Sequence, residues 1–112
     1  MLDIVLYSVC EYFEVTKTEM NSRVRNRRLH LPRQVAHYLL SDRFVGLYIP
    51  LTAIGNKIGG VHHATVIHSR KKVKDLMEFD KVLYNTVQEL ETICINRYEE
   101  YKAKAKAESG ED

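Results

Sequence analysis

The glycine pair Gly59-Gly60 constrains this chain most, because it separates two segments of helical period. Ahead of it, Leu51, Ile54 and Ile58 fall on one face of a short helix over residues 51–58. Behind it, a helix beginning near His62 carries Thr65, Val66, Ile67, His68, Ser69, Arg70, Lys71, Lys72 and Val73. Apolar residues three and four apart mark one helical face. Glycine ends a helix readily because it enters the left-handed region without a Cβ penalty. A short helix, a glycine turn and a helix with a polar, basic face give helix-turn-helix order. The pattern predicts an all-α helical bundle.

The remaining segments fit that class. Leu2, Val5, Leu6, Val9, Tyr12 and Phe13 have helical spacing over residues 2–13. Thr16-Lys17-Thr18-Glu19 matches a capping box, so a second short helix begins there. Residues 22–33 form no convincing stripe and read as a loop ending at Pro32, which suits a helix's first turn. The next helix is then expected over residues 32–41. It turns Val35, Ala36, Leu39 and Leu40 to the core and Gln34, His37 and Asp42 away. Residues 43–50 are a connector. From Val73 to about Ala105 the period stays helical, as one long helix or as two joined near residues 78–81. The tail from Lys102 is expected to fray.

Charge enters through its distribution. The net charge is only +2, yet residues 22–74 carry eleven bases and one acid, whereas residues 75–112 carry five bases and ten acids. Five arginines (Arg23, Arg25, Arg27, Arg28 and Arg33) fall within residues 22–33, with no acid among them. Flexible cations of this kind suit the narrow minor groove and the phosphates of DNA. At the start of the second helix, His62, His63, Ala64 and Thr65 are placed where such helices reach base edges. His and Thr exchange hydrogen bonds with bases, and the Ala methyl packs on a thymine methyl. The alternatives are a solvated charged surface and a turn with an amphipathic helix that meets no ligand.

These residues carry a resemblance. Arg23, Arg25, the Pro32-Arg33-Gln34 step and the run I-G-x-x-I-G-G-x-H-H-A-T-V-I-H over residues 54–68 resemble the C-terminal DNA-binding domain of the bacterial replication initiator DnaA. The family pattern has a basic loop, a helix opening P-R-Q, then I-G-x-x-F-G-G-R-D-H-T-T-V-x-H. The resemblance runs from about Ile4 to about Leu76. It implies a Trp-repressor-like helix-turn-helix in a domain over residues 1–76; beyond it, the helical period gives a C-terminal helical extension expected over 77–107, with a disordered tail expected over 108–112. It also implies that Arg25 enters the minor groove and that Arg33 and Gln34 contact the DNA backbone. His63 then reads a base, Thr65 matches the second threonine, and His68, Lys71 and Lys72 meet phosphates. Val61, His62 and Ala64 depart from the family's Arg, Asp and Thr. His62 is expected to cap the helix less well than Asp and to donate to guanine instead. With no G-x-x-x-x-G-K-[ST] phosphate loop, the expectation is a stand-alone relative without the ATPase module.

The expected partner is therefore double-stranded DNA, bound with sequence preference in replication or transcription control. The alternative is a protein-interaction module that keeps the fold and has lost specific DNA reading. No catalytic constellation appears, so an enzyme is not expected, nor is a cofactor or small-molecule substrate. His63 and His68 are five apart rather than four, so a metal site is not expected. No apolar run reaches the roughly 18 residues of a membrane span, and Met1–Cys10 lacks a basic start and a cleavage site. The expected location is the cytoplasm, at the nucleoid. Cys10 and Cys94 read as buried free thiols. Leu83, Val87, Leu90, Cys94 and Tyr101 lie near heptad spacing, which suits either a core or a dimer helix.

Overall fold

The computed structural model describes residues 1–110, which form helices and turns with no β-strand. The helices are α1 (Leu2–Phe13), α2 (Lys17–Asn21), α3 (Arg27–Tyr38), α4 (Leu51–Lys57), α5 (His63–Met77) and α6 (Lys81–Glu108). α1 ends where Glu14 turns left-handed at φ 56°. The capping box then starts α2, with Thr16 Oγ1 accepting from the Glu19 N–H at 3.1 Å and Glu19 Oε1 from the Thr16 N–H at 2.9 Å. Two orphan donors at the helix start are thereby satisfied.

α3 begins earlier than the proline suggests. Asn26 Oδ1 accepts from the Arg28 N–H at 3.0 Å, so the helix starts at Arg27 and Pro32 lies inside it. Pro32 cannot donate to the Arg28 carbonyl, one turn back on an exposed stretch. The expected loop therefore shortens to residues 22–26, and Arg27 and Arg28 belong to a helix. At the other end, α3 widens into a single π turn over Leu39–Arg43, closed by the Phe44 N–H on the Leu39 carbonyl at 2.9 Å. A 3₁₀ turn over Val45–Leu47 leads towards α4.

One buried cluster unites the elements. It takes Val5, Leu6 and Val9 from α1, Leu29, Val35 and Ala36 from α3, Ile54 from α4, Val66 and Val73 from α5, and Leu83, Val87, Leu90 and Cys94 from α6. α3 is the central helix, and every residue from Val35 to Ser41 is buried. The C-terminal segment resolves as two helices. Asp80 Oδ1 caps α6 by accepting from the Leu83 N–H at 3.0 Å. The near-heptad residues Leu83, Val87, Leu90 and Cys94 are buried within the chain, whereas Tyr101 is exposed. α6 continues through the Ala- and Lys-rich stretch to Glu108, where fraying was expected, because both residue types favour helix. The part of the expected tail at residues 111–112 lies outside the described residues.

Candidate nucleic-acid interface

The glycine turn is built on close backbone contact. A Cβ on Gly55 would lie 2.3 Å from the Val61 carbonyl oxygen, so only glycine lets the chain after the turn fold back onto α4. The Val61 N–H donates to the Gly55 carbonyl at 2.9 Å. Gly59 and Gly60 carry φ of 89° and 57°, the region that other residues enter at a cost. α5 then starts at His63 with His62 as its cap, and His62 Nδ1 accepts from the Ala64 N–H at 3.3 Å. His62 thus supplies the cap at the position where the family has Asp. Its ring lies against that of His63, with centroids 4.0 Å apart.

α5 buries Val66, Ser69 and Val73 and exposes His63, Ala64, Thr65, His68, Lys71 and Lys72. Facing it across an open groove of about 990 Å3 is the start of α3 with the end of the arginine loop. Arg25, Arg27, His30 and Gln34 line one wall, and Thr65, His68, Lys71 and Lys72 line the other. Asp75, at one end beside Leu76, is the acid among the lining residues. The acidic C-terminal segment therefore reaches the groove at its first residue. Two of its later acids are engaged elsewhere: Glu89 accepts from Tyr12 on α1, and Glu91 from Arg43.

The structure separates the five arginines. Arg23, Arg25 and Arg27 are exposed, and no carboxylate pairs with them among the described residues. Arg28 pairs with Glu19. The Thr16 backbone N–H, with Arg28 beside it, holds the Glu19 carboxyl below the usual carboxylate range. Arg33 turns inward. Its guanidinium donates to the carbonyls of Val24 and Ser22 at 2.7 Å and of Glu19 at 2.8 Å, while the residue also lines the groove. Burial lowers the pKa of this guanidinium from its ordinary value. His62, His63, Ala64, Arg23 and Arg28 lie outside the groove lining.

One residue of the site is not legible from helical period. His37 was expected to face away from the core, yet it is buried beneath the groove. Nε2 lies 3.0 Å from the Ile58 carbonyl oxygen and Nδ1 lies 2.9 Å from Ser69 Oγ. A carbonyl can only accept, so Nε2 carries the proton and Nδ1 accepts from the serine hydroxyl. The ring thus joins α3 to the end of α4 and to α5. Burial pushes its pKa down, against the pull of the Ile58 hydrogen bond. The period argument missed it because it assumes one solvent face, and this part of α3 has none.

Among the described residues, no group of three His, Cys, Asp or Glu side chains is placed to hold a metal ion. Nor is any described helix long and apolar enough to cross a membrane. Compared with known proteins, residues 2–73 match the family described as the bacterial DnaA protein helix-turn-helix. A chromosomal replication initiator protein DnaA from Thermomicrobium roseum is 38% identical over 81 residues, covering 72% of this chain and 17% of that protein. The DnaA of Lacticaseibacillus casei is 36% identical over 93 residues, covering 83% of this chain and 20% of that protein. The chain therefore spans about a fifth of the length of these relatives. With its glycine turn, its capped α5 and that match over residues 2–73, the chain belongs to the bacterial DnaA helix-turn-helix family.

Proposed function

We propose that this protein binds duplex DNA with sequence preference, placing α5 in the major groove and the arginine loop at the adjacent minor groove. The observation that carries the reading is the pair of cationic walls, Arg25 and Arg27 opposite Lys71 and Lys72, with no carboxylate partner for any of the four among the described residues. Unpaired cations on two elements of one face supply the counterion release that dominates DNA affinity. The relatives' name, chromosomal replication initiator, supports a role in replication, with transcription control as the other outlet of the same binding. The role is binding rather than catalysis, at the nucleoid in the cytoplasm.

Within this reading His63 and Thr65 contact base edges and the Ala64 methyl meets a thymine methyl. Arg23 and Arg25 follow the minor groove, where narrow stretches attract arginine. Arg27, Arg28, Gln34, His68, Lys71 and Lys72 contact phosphates. His62 departs from the family's Asp in a way that changes the base read. Its Nδ1 accepts the cap hydrogen, so the neutral ring carries its proton on Nε2 and offers a donor. A donor suits the acceptor edge of guanine, whereas a carboxylate suits the cytosine amine.

A second reading, an interaction module, is favoured by Phe79 and Val82, which are 88% and 77% exposed at the corner between α5 and α6. Selection from a pool of random duplexes separates the two. An enriched motif is expected. Binding without enrichment, or no binding, would remove the sequence-preferring reading in favour of the module.

A further inference from the structure

Arg33 occupies a position that a phosphate contact does not explain. Its donors span α2 and the loop: Nη2 serves the Glu19 and Ser22 carbonyls, Nη1 the Val24 carbonyl, and Nε the Met20 carbonyl at 3.4 Å. Nη2 also lies 3.4 Å from Ser22 Oγ. Glu19 and Met20 are among the last residues of α2; the Glu19 carbonyl also accepts from the Ser22 N–H at 3.2 Å and the Ser22 hydroxyl at 2.8 Å, so the arginine adds to a helix end that the loop already caps. A rigid fork of N–H groups matches several carbonyls at once, and the partial negative charge of a helix end favours a cation there. The same Met20 carbonyl accepts from the Gly59 N–H at 2.8 Å. A Cβ on Gly59 would lie 3.5 Å from Arg33 Cδ, and one on Gly60 3.0 Å from the Arg23 side chain. The loop, the end of α2 and the glycine turn therefore meet around one side chain.

We propose that Arg33 is a positioning residue that clamps the arginine loop to the glycine turn, so that the loop and α5 meet DNA as one preassembled surface. The proposal rests on the duplex-DNA reading above. Without the clamp, residues 22–26 would have to be ordered as DNA binds, and that ordering weakens association. Lysine cannot replace the arginine, because a single ammonium has three donors at one point and cannot span carbonyls on both sides.

The experiment uses the full chain and a selected duplex. Arg33→Lys is expected to weaken binding about tenfold although the charge is kept. In that background Arg25→Ala is expected to add little, because the loop it arms is already loose. Discrimination by His63 should persist. If Arg33→Lys binds as the wild type does, or if Arg25→Ala loses as much in either background, Arg33 acts as a charge and the clamp is wrong. Should Arg33→Lys fail to fold, the wild type gives the answer by NMR. Its Arg33 Nε–H should exchange slowly and shift little when duplex is added, and fast exchange or a shift as large as that of Arg25 overturns the proposal. A wild type that binds no duplex refutes the functional reading instead. The clamp is then judged on free Arg33→Lys, where backbone relaxation must show residues 22–26 loosened for it to stand.

Discussion

On the side of the molecule where α6 packs, the two arginines Arg97 and Arg43 are paired with carboxylates of their own chain. Arg97 donates to Glu11 at 2.6 Å and to Ser8 at 2.9 Å, and Arg43 grips both oxygens of Glu91 at 3.0 Å. On the side where α3 faces α5, Arg25, Arg27, Lys71 and Lys72 stand without carboxylate partners among the described residues. A small net charge therefore conceals a contrast between arginines paired with carboxylates, which fasten elements together, and cations without such partners that line the groove. An exposed ion pair contributes little stability and no long-range field, whereas unpaired cations lining a cleft reinforce one another.

The contrast can be broken or sharpened by substitutions on each side. The largest effect is expected from Leu90→Ala, which empties a fully buried position under α6. It should lower stability by about 2–5 kcal/mol in urea unfolding while the folded fraction binds DNA as before. Equal losses of stability and DNA affinity per folded molecule would show that the two sides are not separable.

His37 lies between the sides and should affect both. His37→Ala strands the Ile58 carbonyl and the Ser69 hydroxyl, a loss of about 1–3 kcal/mol. Its pH signature is directional. The folded-state pKa is depressed by burial below the ordinary 6.5, so between the two values the unfolded chain binds more protons. Stability from this group is fully present above 6.5 and is lost as pH falls towards the lowered folded value. Thermal melts across that range should show the decline, and His37→Gln should flatten it. An equally steep decline in the variant would assign it to other groups.

On the groove side, His63→Ala is expected to leave the melting temperature unchanged and to remove about 1–3 kcal/mol of preference for the selected site. Competition with scrambled duplex measures it, and undiminished preference would move base reading to another residue. The smallest effects test the contrast itself. Arg43→Ala should change stability by less than about 1 kcal/mol and leave the salt dependence of binding alone. Arg25→Ala should reduce the salt slope by about one phosphate equivalent. Equal slopes for the two variants would mean that pairing within the chain does not decide which arginines meet DNA.

Much of the fold was legible along the chain. The capping box at Thr16, the glycine turn and the stripes of α1, α4 and α5 are local signals, and local hydrogen bonds and periodicity express them. The start of α3 is not legible from Pro32, because the Asn26 side chain caps the helix at Arg27, five residues before the proline. The break before α6 was left open by periodicity, since both halves keep helical spacing, and Asp80 decides it by capping.

For the site, the sequence by itself determined which residue types were available: a basic loop, a glycine pair, and a helix opening with His62, His63, Ala64 and Thr65. Only the tertiary structure decided their assignments. Five arginines close together in sequence look alike, yet one braces carbonyls, one pairs with Glu19 and three stand free. A histidine that reads as a surface residue becomes the pin beneath the groove. The reason is physical. Periodicity and capping act over four or five residues, whereas the partner of a long polar side chain is chosen by what folding brings within about 3 Å of it.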